Sequence, residues 1–234
     1  MSVKYNSSII TSGLVLCLDA ANRKSYPTTG TTWTDLSGLG NNGTLINGPT
    51  YSSTNGGSIV FDGTSAYVEI ANSNSINSPL SSDFSYDVWV YQQLGGNVYG
   101  KIFSKGWTGS SENCFQLGVN ISGATKYGSP EFMISGSAVY PGGFIIEPFK
   151  WVNIMVIRSL TTLSIYSNTV LVLTATVSAN LSNSYPLRIG VEAQPININE
   201  YNQQNIGSFK FYNRALSAAE ISQNFNALRG RYGI

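Results

Sequence analysis

Apolar and polar residues alternate along most of this chain. In Phe84-Ser-Tyr-Asp-Val-Trp-Val-Tyr91, the side chains of Phe84, Tyr86, Val88 and Val90 fall on one face. Ser85, Asp87, Trp89 and Tyr91 fall on the other, the period of a strand with one strongly apolar side. Runs rich in Val, Ile, Phe, Tyr and Trp predict further strands at 14–18, 58–62, 67–70, 101–105, 115–119, 131–135, 151–158, 163–167, 170–177, 187–191 and 207–213. Gly, Pro, Asn and Ser clusters punctuate the gaps. Many short strands without helical periods between them predict an all-β fold, a sandwich or a barrel.

One segment follows a different period. Ser217-Ala-Ala-Glu220 has the form of a capping box, and Ile221, Phe225 and Leu228 then recur on one helical face. Arg229 and Gly230 supply a cation and a stop, so a short C-terminal helix is expected to lay its apolar stripe on the sandwich. No internal repeat or shift of composition marks a domain boundary. The polar stretch 72–82 and the glycine-rich stretch 95–100 are expected to be loops. The economical division is an N-terminal arm over 1–12 and one domain over 13–234.

Composition narrows the function classes. Of 234 residues, 42% are hydrophobic and only 11% charged, against about a quarter charged in an average soluble domain. With 32 Ser, 23 Asn and 24 Gly, the expected surface is rich in hydroxyls and amides. A formal charge of +1 and the lack of any basic run give no field to gather phosphate backbones or anionic lipid, so neither nucleic acid nor a membrane is an expected partner. There is no His, which removes the commonest general base and the commonest neutral metal ligand.

Cys17 and Cys114 are read as two buried thiols rather than a disulfide, because free Cys is among the most buried residue types. The apolar run 14–18 is too short for a signal peptide, and nothing approaches the ~18 apolar residues of a membrane span. Sequons begin at Asn6, Asn42, Asn120 and Asn180, as expected by chance in a chain of this composition.

Several motifs carry a resemblance. Trp33-Thr-Asp-Leu-Ser-Gly-Leu-Gly-Asn-Asn-Gly-Thr-Leu45, Gly57-Ser-Ile-Val-Phe-Asp-Gly63 and Tyr67-Val-Glu-Ile70 resemble the laminin-G-like branch of the concanavalin A-like lectin and glucanase superfamily. Later pieces agree in order: Phe84 to Val90, Lys101-Ile-Phe-Ser-Lys-Gly106, Trp151 to Tyr166, and the closing Ile206 to Ile221. Covering 14–232, the resemblance implies a jelly-roll sandwich of two antiparallel sheets with a short C-terminal helix. Where the family usually has an Asn-Gly hairpin turn, this chain has Ser167-Asn168-Thr169, a departure that leaves the turn geometry open.

The superfamily hosts lectins, glycosidases, adhesion modules and viral structural proteins, so the fold does not choose among them. Laminarinase-like members place acids as E-x-D-x-x-E on one strand, because retaining hydrolysis needs two carboxylates about 5 Å apart. None of the 12 acids here forms that cluster, and Asp83 with Asp87 comes closest, so no enzyme is expected. Asp35, Ser37, Asn41 and Asn42 crowd one loop. Asp35 and Asn41 are calcium candidates on that account. The favoured alternative is that Asp35 and Ser37 bond loop backbone while Asn42-Gly43 makes a positive-φ turn.

For sugar stacking, Trp89 and Trp151 sit within strands and read as core. Trp107, in a polar loop without alternation, joins Tyr127 and Tyr140 as the expected exposed aromatic platform. The alternative for each is packing over the sheet edge.

The opening Gly13 to Asn22 and the closing Tyr212 to Gly233 resemble modules of tailed-bacteriophage virion proteins. That resemblance implies assembly in a host cytoplasm and display on the virion surface, as a head decoration or fibre component. Other virion proteins, host cell-surface glycans and further copies of the chain would be its partners. A non-enzymatic virion structural protein is therefore the first expectation, a dedicated carbohydrate-binding lectin module the second, and a glycoside hydrolase the third. No cofactor is expected beyond the calcium candidate.

Overall fold

The computed structural model describes residues 8–107, 114–120, 128–134, 137–139, 144–194 and 198–234. In chain order, its first eight strands are β1 (Leu14–Asp19), β2 (Thr32–Trp33), β3 (Gly43–Ile46), β4 (Thr50–Ser52), β5 (Ser58–Asp62), β6 (Tyr67–Ile70), β7 (Phe84–Gly96) and β8 (Lys101–Lys105). They are followed by β9 (Phe115–Asn120), β10 (Ser129–Ile134), β11 (Ser137–Val139), β12 (Trp151–Ser159), β13 (Thr162–Ser167), β14 (Val170–Thr176), β15 (Leu187–Ile189) and β16 (Asn202–Tyr212). Two helices complete the order, α1 (Asn74–Asn77) and α2 (Ala218–Leu228).

The described strands make two eight-stranded antiparallel sheets, a sandwich as the resemblance implies and one of the two architectures the alternation left open. The first has the order β14-β13-β12-β7-β16-β5-β4, and the second β11-β10-β9-β8-β15-β6-β3-β2. Strand β16 organises the first sheet. One side pairs with β7 along its length, while the other pairs with β5 through Gln203–Ile206 and with β1 through Ser208–Tyr212.

The inner faces meet in one core. Phe84, Tyr86, Val88 and Val90 of β7 point inward with Phe209 and Phe211 of β16, as the period of two requires. Tyr86 lies nearly parallel to Phe211, with ring centroids 4.3 Å apart, and Phe103 and Phe115 reach the same knot from the second sheet. Each fully buried apolar side chain of this kind stabilises the fold by roughly 1.5–3 kcal/mol. Cys17 and Cys114 are both buried, and neither forms a disulfide among the described residues.

The outer face of the first sheet is covered at one end by α2. Ser217 is its N-cap, and the reciprocal bonds with Glu220 are both present. Ile221 packs over Met155, Ile157 and Tyr212. Phe225 stacks on Trp89, which is held from its other neighbour side by Tyr232 at 4.2 Å. The helix does not stop at Gly230 as its sequence suggests. A 3-10 turn over Arg229–Tyr232 continues it, and the left-handed terminator is Gly233 at φ 76°. That turn delivers Tyr232, and Gly207 of β16 makes room for it, since a Cβ there would lie 2.2 Å from the tyrosine hydroxyl. Ser8–Ser12 run beside α2, with Ile10 N–H donating to Asn224 Oδ1 and Tyr212 Oη donating to the Ile10 carbonyl.

The structure departs from the sequence expectations at several places, each with a physical cause. The polar half of β16, Asn202-Gln-Gln-Asn205, continues a strand that the apolar pattern ends at 207. Its amides replace hydrophobic packing: Gln92 and Asn202 bond each other in both directions, and Asn202 also donates to Gln204. Strands β2, β3, β4 and β11 are too short to show a period. The stretch 72–82 holds α1 and a 3-10 turn rather than plain loop, and Gly95 and Gly96 belong to β7.

In the loop before β3, the positive φ angles sit at Gly38 and Gly40, not at Asn42-Gly43. The open question at Ser167-Asn168-Thr169 resolves as a two-residue turn, with Ser167 facing Val170. Asn168 is at φ 47° and Thr169 at φ 74°, held by bonds between Asn168 and the Asn153 backbone.

Candidate functional site

Beyond the reach of α2, the same outer face of the first sheet is open. Trp151, the first residue of β12, stands opposite Tyr91 in the ladder, with ring centroids 5.5 Å apart. One side of its indole meets Tyr232 at 4.5 Å, and the residue is half-buried rather than enclosed. The reading of Trp151 as core is thus corrected: alternation placed it on the outer face, where only part of it is covered.

The indole is held by a short chain of bonds. Trp151 Nε1 donates to Asn55 Oδ1 at 3.1 Å, and Asn55 Nδ2 donates to the Arg231 carbonyl at 3.2 Å. Arg231 returns a bond from Nε to the Asn55 carbonyl, and its other nitrogens reach Asp19 Oδ1, the Gly57 carbonyl and the Gly207 carbonyl. Asn55 adopts φ 53° inside the 3-10 turn Thr54–Gly56, a conformation Asn tolerates better than most residues. The C-terminal turn that closes the helix therefore also fixes the group that orients the half-buried Trp151.

Two hollows adjoin Trp151. The first, of about 230 Å³, is lined by Ser52, Thr54, Asn55, Ser58, Tyr91, Trp151 and Asn205, none of them charged. Gln93 Nε2 donates to Asn205 Oδ1 at 2.7 Å, which fixes that amide's orientation. The second hollow, of about 300 Å³, is bounded by Phe144, Ile145, Glu147, Lys150, Val152, Ser167, Asn168 and again Trp151. Glu147 and Lys150 form an exposed ion pair there. Near both, Phe149 is 55% exposed and held at φ 59°, its ring edge-on to Tyr91. A bulky residue at positive φ is a genuine outlier, and such strain gathers at binding sites. Aromatic faces beside uncharged amides and hydroxyls suit a ligand with apolar C–H faces and a hydroxyl rim.

The expected site residues are distributed differently. Trp107 is half-buried, as Trp151 is, but its Nε1 is enclosed with no hydrogen-bond partner among the described residues. Tyr127 and Tyr140 lie outside the described residues.

The calcium candidates are consumed by their own loop. Asp35 Oδ1 accepts from the amides of Cys17 and Ser37, and Oδ2 from the Ser37 hydroxyl and the Asn41 amide. Asn41 Oδ1 accepts from Ser73 and Ser75 while its Nδ2 donates to the Val15 carbonyl. This is the backbone-bonding alternative, and it leaves Asp35 and Asn41 no oxygen turned to a cation. Among the described residues, no group of three or more His, Cys, Asp or Glu is arranged to hold a metal ion.

Asp83 and Asp87 are each bonded within the fold. Asp83 accepts from the Leu160 amide, and buried Asp87 is paired with Lys210 and bonded by Asn153 and Asn224. A cluster of acids does exist elsewhere, invisible to a one-strand pattern because three segments build it. On the outer side of the second sheet, Lys101 Nζ lies 2.9 Å from Glu200 and 3.6 Å from Glu131, and Gln116 bonds Glu192. Burial pushes the Glu200 carboxyl up, with Lys101 opposing and Glu192 and Glu131 adding to the rise. Lys101 is itself buried between Glu131 and Glu200, where it serves as their counter-charge.

Among solved structures, the chain is similar to the binding domain of Paraclostridial Mosquitocidal Protein 1 (16% identity, TM-score 0.68, 92% of this chain and 52% of that one). It is similar also to domain 4 of AbnA, an extracellular arabinanase from Geobacillus stearothermophilus, in complex with arabinotriose (15% identity, TM-score 0.67, 91% and 98%). A third is Trypanosoma rangeli sialidase (13% identity, TM-score 0.68, 96% and 34%). The chain thus spans about half of the mosquitocidal-protein binding domain and a third of the sialidase, but nearly all of the arabinanase domain. At these identities the likeness is one of fold. No curated protein matches the chain. Residues 62–222 match the family described as the concanavalin A-like lectin/glucanases superfamily, and with that match spanning most of its length the chain belongs to this superfamily.

Proposed function

We propose that this chain is a non-enzymatic carbohydrate-binding domain that takes a sugar ring against Trp151. The observation that carries the reading is the half-open indole. Its N–H is fixed by Asn55 and its flank is set by Tyr91, in a hollow lined by uncharged amides and hydroxyls. The likeness to an arabinanase domain crystallised with arabinotriose supports the ligand class. The non-enzymatic half of the reading is supported by Lys101 lying between Glu131 and Glu200, and by the structural bonding of Asp83 and Asp87.

A glycan array tests this directly, with Trp151→Ala and Trp107→Ala run beside the unaltered protein. Binding that is lost in Trp151→Ala and kept in Trp107→Ala is the expected result. Loss only in Trp107→Ala would move the site to the other tryptophan, and a silent array would overturn the reading.

The setting we propose for the domain is the surface of a tailed-phage particle, assembled in the host cytoplasm with other virion proteins. The support is the resemblance of 13–22 and 212–233 to virion modules. Negative-stain images of purified particles with and without the protein test it, and a protein found free of particles would remove that setting.

A further inference from the structure

We infer that the two hollows beside Trp151 are one groove, and that its ligand is a run of at least two neutral sugar units rather than a single ring. This deepens the carbohydrate reading and rests on it.

Size is the first argument. Small-molecule sites usually measure about 300–1,000 Å³, so a hollow of about 230 Å³ falls short alone and one of about 300 Å³ only reaches the lower bound. Joined, they come within the range, and Trp151 is the residue that lines both.

Charge is the second. The first hollow has only neutral side chains, and in the second Lys150 is already paired with Glu147, so the groove carries no net charge to match a carboxylated sugar. A uronic or sialic acid would have to break that pair.

Backbone conformation is the third. Asn55 lines the first hollow at φ 53° and Asn168 lines the second at φ 47°, while Phe149 at φ 59° stands beside Tyr91. Asparagine tolerates that conformation, but Phe149 does not, and its strain is expected if the groove is held preformed.

The test is calorimetric titration with the mono-, di- and trisaccharides of arabinose, glucose, galactose, mannose and xylose, with galacturonic acid oligomers and sialyllactose as charged comparators. In whichever neutral series binds, the disaccharide should bind about tenfold or more tighter than the monosaccharide. The paired change Glu147→Ala with Lys150→Ala, both exposed, should remove that gain. Thr54→Arg, which fills the first hollow from an exposed position, should abolish binding of every length without touching the core. A monosaccharide bound as tightly as its trisaccharide, a gain that survives the paired change, or preference for the charged probes would each overturn the groove while the carbohydrate reading stands. Silence from every probe would instead overturn the carbohydrate reading itself.

Discussion

Trp89 and Trp151 sit on the same outer face of the first sheet, on neighbouring strands two register positions apart, and meet opposite fates. Trp89 is fully buried between Phe225 and Tyr232, whereas Trp151 touches Tyr232 with one side and faces the hollows with the other. The strands treat the two alike. What separates them is the length of α2 and its 3-10 extension, which reaches the first and stops at the edge of the second. Coverage by a later element, not position in the strand, decides which aromatic is structure and which is available surface.

The largest effects should come from the covered end. Trp89→Ala is expected to cost about 3–5 kcal/mol in urea unfolding, the range for emptying a packed aromatic site. Lys210→Met, one strand away, should cost a similar ~3–5 kcal/mol, because it leaves buried Asp87 without its cation. A loss below about 1 kcal/mol for either would mean that α2 does not seal this end. Trp151→Ala should be milder, about 1–2 kcal/mol, since part of its surface is already in water, yet it should remove glycan binding. If the two tryptophans cost the same, the contrast between them fails.

Loosening the helix tests the seal itself. Ser217→Ala removes the cap and should cost about 1 kcal/mol, read as a lower denaturation midpoint.

The smallest effect is in acid. Arg214, with the Ser217 amide, holds the Glu220 carboxyl well below its ordinary 4.5, at about 2. A folded value below the unfolded one means that the group's contribution is complete above 4.5 and fades as the pH falls toward about 2. Glu220→Gln should therefore flatten the stability profile in that window. An unchanged profile would show that this contact does not anchor the helix.

The long strands of the sandwich can be read from the chain because burial on one side imposes a period of two, as in Phe84–Val90. The amide-filled half of β16 escapes that reading, since Gln92, Asn202 and Gln204 satisfy one another rather than presenting apolar groups. The site is less legible still. Asn55 and Arg231, which together orient Trp151, are 176 positions apart and form no motif. Glu131, Glu192 and Glu200 come from separate segments for the same reason. A strand pattern reports which face a side chain occupies, and says nothing of what later covers that face.

The triple pairing of β16 has a consequence for how the chain is made. Leu14 of β1 pairs with Tyr212, so β1 must wait for a partner made 198 positions later. At roughly 5–20 residues per second, that delay is on the order of 10–40 s. During it Leu16 and Leu18 have no sheet to enter, and β5 and β7 lack the strand that stands between them. Closure of the first sheet therefore waits for β16, and the nascent chain is a natural client for chaperones until Asn202–Tyr212 has emerged.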